Sequence, residues 1–155
     1  MKTLQIGDEA PDFTLETHNE GELNLAWYRG RNNVVLAFYP GDFTVVCSNH
    51  ISSYNKIADK LIEYDCKLFG ISVDSIDCHK AWAKSMGGLT FPLFSDYFPH
   101  GEVAKKYGVL TERGNTFRTV FLIDKQGIIR FIDNVNFSLV PDNDKLLQEL
   151  AKISD

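Results

Sequence analysis

Residues 34–39 form an unbroken apolar run, and residues 40–42 (Pro-Gly-Asp) follow it directly. Such a run is typical of a strand that is buried on both faces of a sheet. The strand is predicted to end at Pro40, because proline lacks the backbone donor of a central strand and Gly-Asp favours a turn. From Ile51 to Tyr64, apolar residues recur at helical spacing. Cys47 is therefore predicted to lie in the first turn of a helix that follows a buried strand.

This position favours a reactive thiol. The first N–H groups of a helix have no partner within the helix, and the helix dipole is positive there. Both features stabilise a thiolate, which is the nucleophilic form of cysteine. Thr44 could cap the helix or direct its hydroxyl at the sulfur, and Pro40 would close one side of the pocket. Taken alone, however, a single cysteine here is more often a small buried residue that follows an ordinary N-cap.

Composition narrows the class of protein and its partners. A chain of 155 residues is most simply one domain, here residues 1–155, and its contents of 44% hydrophobic and 24% charged residues are ordinary for a soluble protein. The net charge of −5 argues against a nucleic-acid partner. No apolar run approaches the ~20 residues of a membrane span, and the first residues lack the apolar segment of a signal peptide. Because three cysteines form no disulfide framework, we expect a cytoplasmic protein with no membrane partner.

Short strands, helices and turns follow one another along the rest of the chain. Residues 67–73 form a second apolar strand, and two strands joined by one helix imply a right-handed parallel βαβ unit. A short helix is predicted over residues 77–86, ended by the two glycines at 87–88. Another is predicted at residues 103–107.

The C-terminal part predicts a hairpin and a final helix. Residues 117–123 and 128–135 flank residues 124–127, which end in the glycine of a β-hairpin turn. Short strands are also expected around residues 13–15 and 22–25. One stripe of the last helix carries Leu146, Leu147, Leu150 and Ile153. The order of elements predicts an α/β fold in which a central mixed sheet has helices on both faces, the thioredoxin-like arrangement.

Pro40, Thr44 and Cys47 are spaced as Pro-x-x-x-Thr-x-x-Cys after a strand that ends in Phe38-Tyr39. This arrangement resembles the active-site signature of the peroxiredoxins. Other segments resemble the alkyl hydroperoxide reductase branch of that family in the same order, namely residues 6–15, 69–75, 79–82, 91–96 and 118–124. The resemblance covers nearly the whole chain.

The resemblance implies a thiol-dependent peroxidase on a thioredoxin-like fold, with no metal or cofactor. It makes Cys47 the nucleophile that attacks the terminal oxygen of a hydroperoxide and becomes a sulfenic acid. Thr44 would hold the peroxide by a hydrogen bond, and Pro40 would limit the access of water. The backbone N–H groups of Val46 and Cys47 would complete the set of donors.

Arg118 stands near the start of a strand that is otherwise apolar. A charge that enters a buried sheet needs a partner, and a thiolate with a peroxide oxygen would serve. The alternative is that the side chain reaches solvent from the strand end. The resemblance assigns Arg118 as the catalytic arginine, which binds the substrate and stabilises the charge that develops along the S–O–O axis.

The residues after the nucleophile depart from the family. The chain reads Cys47-Ser48-Asn49-His50 where the alkyl hydroperoxide reductase branch usually reads Cys-Pro-Thr-Glu. In the family, the glutamate orients the arginine. His50 could take part of that role through a ring nitrogen or tune the site with pH, or it could be an exposed polar residue on a helix.

The two other cysteines bear on how a sulfenic acid would be resolved. Two-cysteine members carry a resolving cysteine in the C-terminal region or at a position that is Ser52 here. Cys66 is expected to pack in the core, about 25 Å from Cys47 across a helix of about 17 residues. Cys78 lies beside His79 at a helix start, a position that can lower a thiol pKa. Because it follows the second apolar strand and returns toward the same end of the sheet as Cys47, it is the only intramolecular candidate. Packing is the simpler role for both, which predicts a one-cysteine type reduced by an external thiol or a thioredoxin-like protein.

Two other functions compete with the peroxidase. A thiol–disulfide oxidoreductase needs Cys-x-x-Cys, but His50 stands three residues after Cys47. A non-enzymatic binding or chaperone module would have a degenerate site, which the intact Pro40, Thr44 and Arg118 argue against. A metal site built from the cysteines and their neighbouring histidines lacks any paired ligand spacing.

Three aromatic residues fall outside the predicted core pattern. They are Phe43, Tyr97 and Phe98. Aromatic residues are enriched in interface cores, although loops also expose them. Together with the family resemblance, they predict a homodimer.

Overall fold

A computed structural model of the chain describes residues 3–154, and five of its strands form one mixed sheet in the order β5-β4-β3-β6-β7. The strands of the protein are β1 (Thr14–Glu16), β2 (Glu22–Asn24), β3 (Asn33–Phe38), β4 (Cys66–Ser72), β5 (Leu93–Ser95), β6 (Arg118–Ile123) and β7 (Ile129–Val135). The helices are α1 (Val45–Ser53), α2 (Ala58–Glu63), α3 (Ile76–Ser85), α4 (Glu102–Lys106) and α5 (Asn143–Ile153). None of the helices within residues 3–154 has the length and apolar character needed to cross a membrane.

The pairing of the strands confirms the predicted mixed α/β fold. Strands β3 and β4 are parallel, as the βαβ prediction required, and β5 continues the parallel part beyond β4. Strands β6 and β7 form the predicted antiparallel hairpin, and β6 is also antiparallel to β3. Strands β1 and β2 pair with each other outside the main sheet. β5 has only three residues, too few for a periodic pattern to identify it as a strand.

Strand β3 divides the hydrophobic core into two parts. Successive side chains of a strand point to opposite faces, and every residue of β3 is buried. One face packs on α4 and on a 3-10 turn at Leu25–Tyr28, through Val34, Leu36 and Phe38. The other face packs on α1, α3 and α5, through Val35, Ala37 and Tyr39. The sheet is therefore covered on both faces, which explains the unbroken apolar run.

The helix predicted as one segment up to Tyr64 is interrupted. A 3-10 turn at Tyr54–Ile57 separates α1 from α2. The hydroxyl of Ser53 donates to the carbonyl of His50 at 2.6 Å and so occupies an acceptor of the helical ladder. The apolar spacing survives the interruption, because Tyr54 and Leu61 still point into the core. Hydrophobic spacing alone could not reveal this break.

Candidate active site

Cys47 is the third residue of α1, and 1% of its surface is exposed. The chain leaves β3 at Phe38 and enters the helix at Thr44, which is the N-cap residue in an extended conformation. Within residues 3–154, the backbone N–H groups of Val46 and Cys47 have no hydrogen-bond partner. The sulfur therefore lies at the positive end of a helix, as predicted from the sequence.

Arg118 is the first residue of β6 and is 2% exposed. Because β6 runs antiparallel to β3, its start lies beside the end of β3, with Thr119 paired to Phe38. The Nη2 of Arg118 donates to the Sγ of Cys47 and to the carbonyl oxygen of Phe137, at 3.2 Å in each case. The alternative in which Arg118 reaches solvent is wrong, because the sheet register directs the guanidinium into the protein.

His50 connects the guanidinium to a buried tyrosine. Its Nδ1 lies 2.8 Å from Nη1 of Arg118, and its Nε2 lies 2.8 Å from the hydroxyl of Tyr54. Since arginine can only donate, Nδ1 must accept and the ring proton must stand on Nε2. Burial, followed by the charge of Arg118, lowers the pKa of His50 to about 3. The alternative of an exposed polar residue is wrong, because His50 is completely buried.

The guanidinium of Arg118 also retains an unused donor. Its Nε is buried and has no hydrogen-bond partner within residues 3–154. Each partner of the two Nη atoms is a neutral group or the cysteine sulfur: His50, Phe137 and Cys47. Among the described residues, the guanidinium therefore forms no ion pair with a carboxylate, and it faces the Cys47 sulfur.

Thr44 and Pro40 lie on the segment that leads from β3 into α1. Pro40 is half-buried, whereas Thr44 is exposed. The hydroxyl of Thr44 donates to the carbonyl of Gly41 at 3.0 Å and makes no capping bond to the helix. Of the two predicted uses of this hydroxyl, the helix cap is absent from the structure. Since its proton is committed to Gly41, the oxygen of Thr44 is left as an acceptor.

A buried network holds the loop between β3 and α1. Asp42 accepts hydrogen bonds from the hydroxyl of Tyr39 and from Nδ1 of His79, both at 2.7 Å. The Nε2 of His79 lies 2.9 Å from the carbonyl of Phe94, and the N–H of Asp42 donates to Asp74 at 2.9 Å. This network was not predicted from the sequence. Asp42 and His79 are 37 residues apart in the chain. The one sequence feature that could have indicated their contact is that they follow the carboxyl ends of adjacent parallel strands, β3 and β4.

Cys78 is partly buried in α3, close to the same carboxylates. Burial, followed by the negative charges of Asp42 and Asp74, raises the pKa of the Cys78 thiol to about 12. The expectation of a lowered pKa at this helix start is therefore wrong, because burial and the two carboxylates oppose a thiolate. Candidate metal-ligand atoms of these three residues lie within 4.8 Å of one another. Both carboxylates already accept hydrogen bonds, with Ser72 donating to Asp74.

Cys66 lies at the other end of the sheet from Cys47. It is the first residue of β4 and pairs with Asn33, the first residue of β3, whereas Cys47 follows the end of β3. Six residues of strand correspond to roughly 20 Å. Burial raises the pKa of the Cys66 thiol to about 12, and the side chain belongs to the core. The structure thus places Cys66 in the packing role expected for it.

Comparison with known proteins agrees with this geometry. The profile of the AhpC/TSA family matches residues 6–132. Alkyl hydroperoxide reductase E of Mycobacterium tuberculosis is 42% identical over 134 residues, which cover 84% of this chain and 85% of the relative. A reduced 2-Cys peroxiredoxin of Plasmodium vivax superposes with a TM-score of 0.88 at 34% identity, covering 96% of this chain and 81% of that one. A yeast mitochondrial 1-Cys peroxiredoxin gives 0.87 at 27% identity, covering 96% and 76%.

Proposed function

The chain belongs to the AhpC/TSA family of peroxiredoxins and is a thiol-dependent peroxidase, and we propose that Cys47 is its peroxidatic residue. The observation that carries this assignment is the 3.2 Å hydrogen bond from Arg118 to the buried Cys47 sulfur at the start of a helix. A positive charge and free N–H groups both favour the thiolate. The thiol–disulfide oxidoreductase and binding-module alternatives are not favoured, because the relatives are named alkyl hydroperoxide reductase and peroxiredoxin.

The reaction begins when the thiolate of Cys47 attacks the terminal oxygen of the hydroperoxide. An S–O bond forms while the O–O bond breaks, and the electron pair leaves with the second oxygen, which is protonated to give an alcohol or water. The sulfur is oxidised to a sulfenic acid and the peroxide is reduced. Arg118, together with the N–H groups of Val46 and Cys47, stabilises the charge that develops along the S–O–O axis.

Thr44 orients the substrate in this proposal. Its hydroxyl already donates to Gly41, so its oxygen is free to accept the O–H of a hydroperoxide. A peroxide held in this way presents its terminal oxygen to Cys47. Pro40, which has no N–H and is half-buried beside the loop, limits the water that reaches the sulfur.

An external thiol returns the enzyme to its reduced state. The raised pKa values of Cys66 and Cys78 disfavour their thiolates, and the thiolate is the attacking species in exchange. A first external thiol therefore condenses with the sulfenic acid of Cys47, forming a mixed disulfide and releasing water. A second thiol then releases Cys47 and leaves as a disulfide with the first. The yeast 1-Cys neighbour, whose description names glutathione and thioredoxin systems, supports a reductant of this class.

The chain is proposed to be one domain that forms a homodimer in the cytoplasm. One domain is supported because both hydrophobic clusters pack on the two faces of the same five-stranded sheet. Support for the dimer comes from three exposed aromatic side chains, namely Phe43 (57%), Tyr97 (58%) and Phe98 (84%). In a monomer their apolar surface is in contact with water, and an interface would bury it.

Peroxide consumption combined with mass spectrometry tests the assignment. The protein is treated with one equivalent of hydrogen peroxide and then with dimedone, which captures a sulfenic acid. We expect one adduct on Cys47 and complete loss of turnover in Cys47→Ser, while Cys66→Ser serves as the matched control. Substantial turnover in Cys47→Ser, or an adduct confined to another cysteine, would reject Cys47 as the nucleophile.

A further inference from the structure

His50 contacts Arg118 but takes no direct part in the proposed reaction. We propose that His50 is a positioning residue that holds Arg118 against Cys47 as a neutral hydrogen-bond acceptor, so that the guanidinium charge stays uncompensated. This inference rests on the proposed function of Cys47. In this role, His50 orients the guanidinium of Arg118 without carrying a negative charge.

The hydrogen bonds determine which atoms act. Nη1 of Arg118 donates to Nδ1 of His50 at 2.8 Å, while Nη2 donates to Cys47. The two bonds leave from neighbouring nitrogens of one planar group, so the contact with His50 sets the plane in which Arg118 reaches the sulfur. Nε2–H of His50 donates to the hydroxyl of Tyr54 at 2.8 Å, which holds the ring in this orientation.

The charges around Arg118 explain why a neutral His50 matters for the interaction between Arg118 and Cys47. Within residues 3–154, no Asp or Glu forms an ion pair with Arg118. A buried cation is costly unless an anion pairs with it, and the Cys47 sulfur lies at hydrogen-bond distance. The whole charge of the guanidinium is therefore available to the Cys47 sulfur, whereas a carboxylate in place of His50 would share it.

Protonation of His50 would end this arrangement. His50 contacts Tyr54 in the 3-10 turn and Arg118 on β6, and Cys47 on the same helix shares Arg118 with it. Asp133 on β7 acts electrostatically on Tyr54. An imidazolium could no longer accept from Arg118 and would place a second buried cation beside it. Burial and the charge of Arg118 lower the pKa of His50 to about 3, so the neutral ring persists through mildly acidic pH.

A matched pair of variants separates positioning from charge. Nδ1 of histidine is two bonds from Cβ, as is Oδ1 of asparagine or aspartate. His50→Asn therefore offers a neutral acceptor at that position, and His50→Asp offers one of the same shape with a negative charge. His50→Ala removes the acceptor.

The rate of Cys47 oxidation is followed by stopped flow across pH. We expect His50→Asp to oxidise at least about tenfold more slowly than His50→Asn at pH 7, with the midpoint of its pH–rate profile about one pH unit higher. His50→Ala should be slower than His50→Asn without that upward displacement. Equal rates and midpoints in the Asn and Asp variants would overturn the proposal, as would a wild-type midpoint in all three.

Imidazole nitrogen NMR provides a readout that needs no peroxide. In the Cys47→Ser protein, the His50 ring should remain the neutral Nε2–H tautomer from pH 7 to pH 4. An Nδ1–H tautomer, or titration near the ordinary histidine range, would overturn the inference even in a fully active enzyme. Conversely, failure of the wild-type protein to oxidise Cys47 would reject the peroxidatic assignment while leaving the NMR result to decide the role of His50.

Discussion

The guanidinium of Arg118 donates from Nη2 to the Sγ of Cys47 across 3.2 Å, although 71 positions separate the two residues in the chain. The contact exists because β3 delivers Cys47 to one end of the sheet and the antiparallel β6 begins with Arg118 at that same end. Neither side chain is open to bulk water, since they are 1% and 2% exposed. Their interaction is therefore weakly screened, and it is the most direct target for mutation.

Replacement of Arg118 by alanine should slow the oxidation of Cys47 by roughly a hundredfold or more, the usual cost of one donor aimed at developing charge. Loss of the cation also disfavours the thiolate, so the pH–rate profile should move to higher pH. Stopped-flow measurement across pH gives both quantities. Arg113→Ala, at an exposed position, is the control. A profile for Arg118→Ala that coincides with the wild type would contradict the assignment.

Replacement of Thr44 by valine should reduce the oxidation rate by roughly ten- to a hundredfold, because the acceptor for the peroxide O–H is lost. Thr44→Ser keeps that oxygen and should retain most of the rate. Steady-state consumption of peroxide by the two variants makes the comparison. If valine and serine behave alike, the hydroxyl bonded to Gly41 has no role in holding the substrate.

Peroxide-treated protein should contain no Cys47–Cys78 disulfide. Burial, together with the carboxylates of Asp42 and Asp74, raises the pKa of the Cys78 thiol to about 12, so little thiolate is present to attack the sulfenic acid. Non-reducing peptide mapping checks this directly, and Cys78→Ser should keep most of the turnover. A mapped bond between Cys47 and Cys78, within or between chains, would make Cys78 the resolving residue.

Stability should fall on acidification partly through His50. The ring has its ordinary pKa of 6.5 in the unfolded chain but about 3 in the folded protein, so between those values the unfolded chain binds an extra proton. Stability from the neutral ring is complete above pH 6.5 and declines toward pH 3, by about 1.4 kcal/mol per pH unit.

Chemical denaturation at pH 7, 5 and 4 compares His50→Asn with the wild type. The variant should lose less stability on acidification, because asparagine does not titrate. Asn49→Gln, at an exposed position of the same helix, replaces no titratable group and should follow the wild-type curve. Parallel curves for the His50 variant and the wild type would show that His50 binds its proton equally in both states.

The smallest stable unit should be a homodimer. Phe98 is 84% exposed, and burial of such a side chain in an interface core contributes to association. Light scattering at micromolar concentration should give twice the mass of the chain, and Phe98→Ser should shift the protein toward monomer. Ile62→Ser, at a 73% exposed residue of α2, is the control. A wild-type monomer at neutral pH would contradict the proposal.

Much of the fold could be predicted because strands, helices and turns depend mainly on residues that are close together in the sequence. The apolar run at residues 34–39 required a strand covered on both faces, and the glycine of the hairpin turn located the joint between β6 and β7. The same periodicity could not reveal the 3-10 turn after Ser53, because a side chain bonded to the helical ladder leaves the apolar spacing unchanged.

The sequence by itself determined that Cys47 starts a helix after a buried strand, since apolar runs, turn residues and helical spacing act between near neighbours. Only the tertiary structure decided what surrounds the sulfur. The sheet register buried Arg118 instead of releasing it to solvent, and burial made His50 neutral. Burial and the nearby carboxylates raised the pKa of Cys78 instead of lowering it. These outcomes depend on burial and on charges contributed by distant segments, because electrostatic interactions act through space and strengthen where water is excluded.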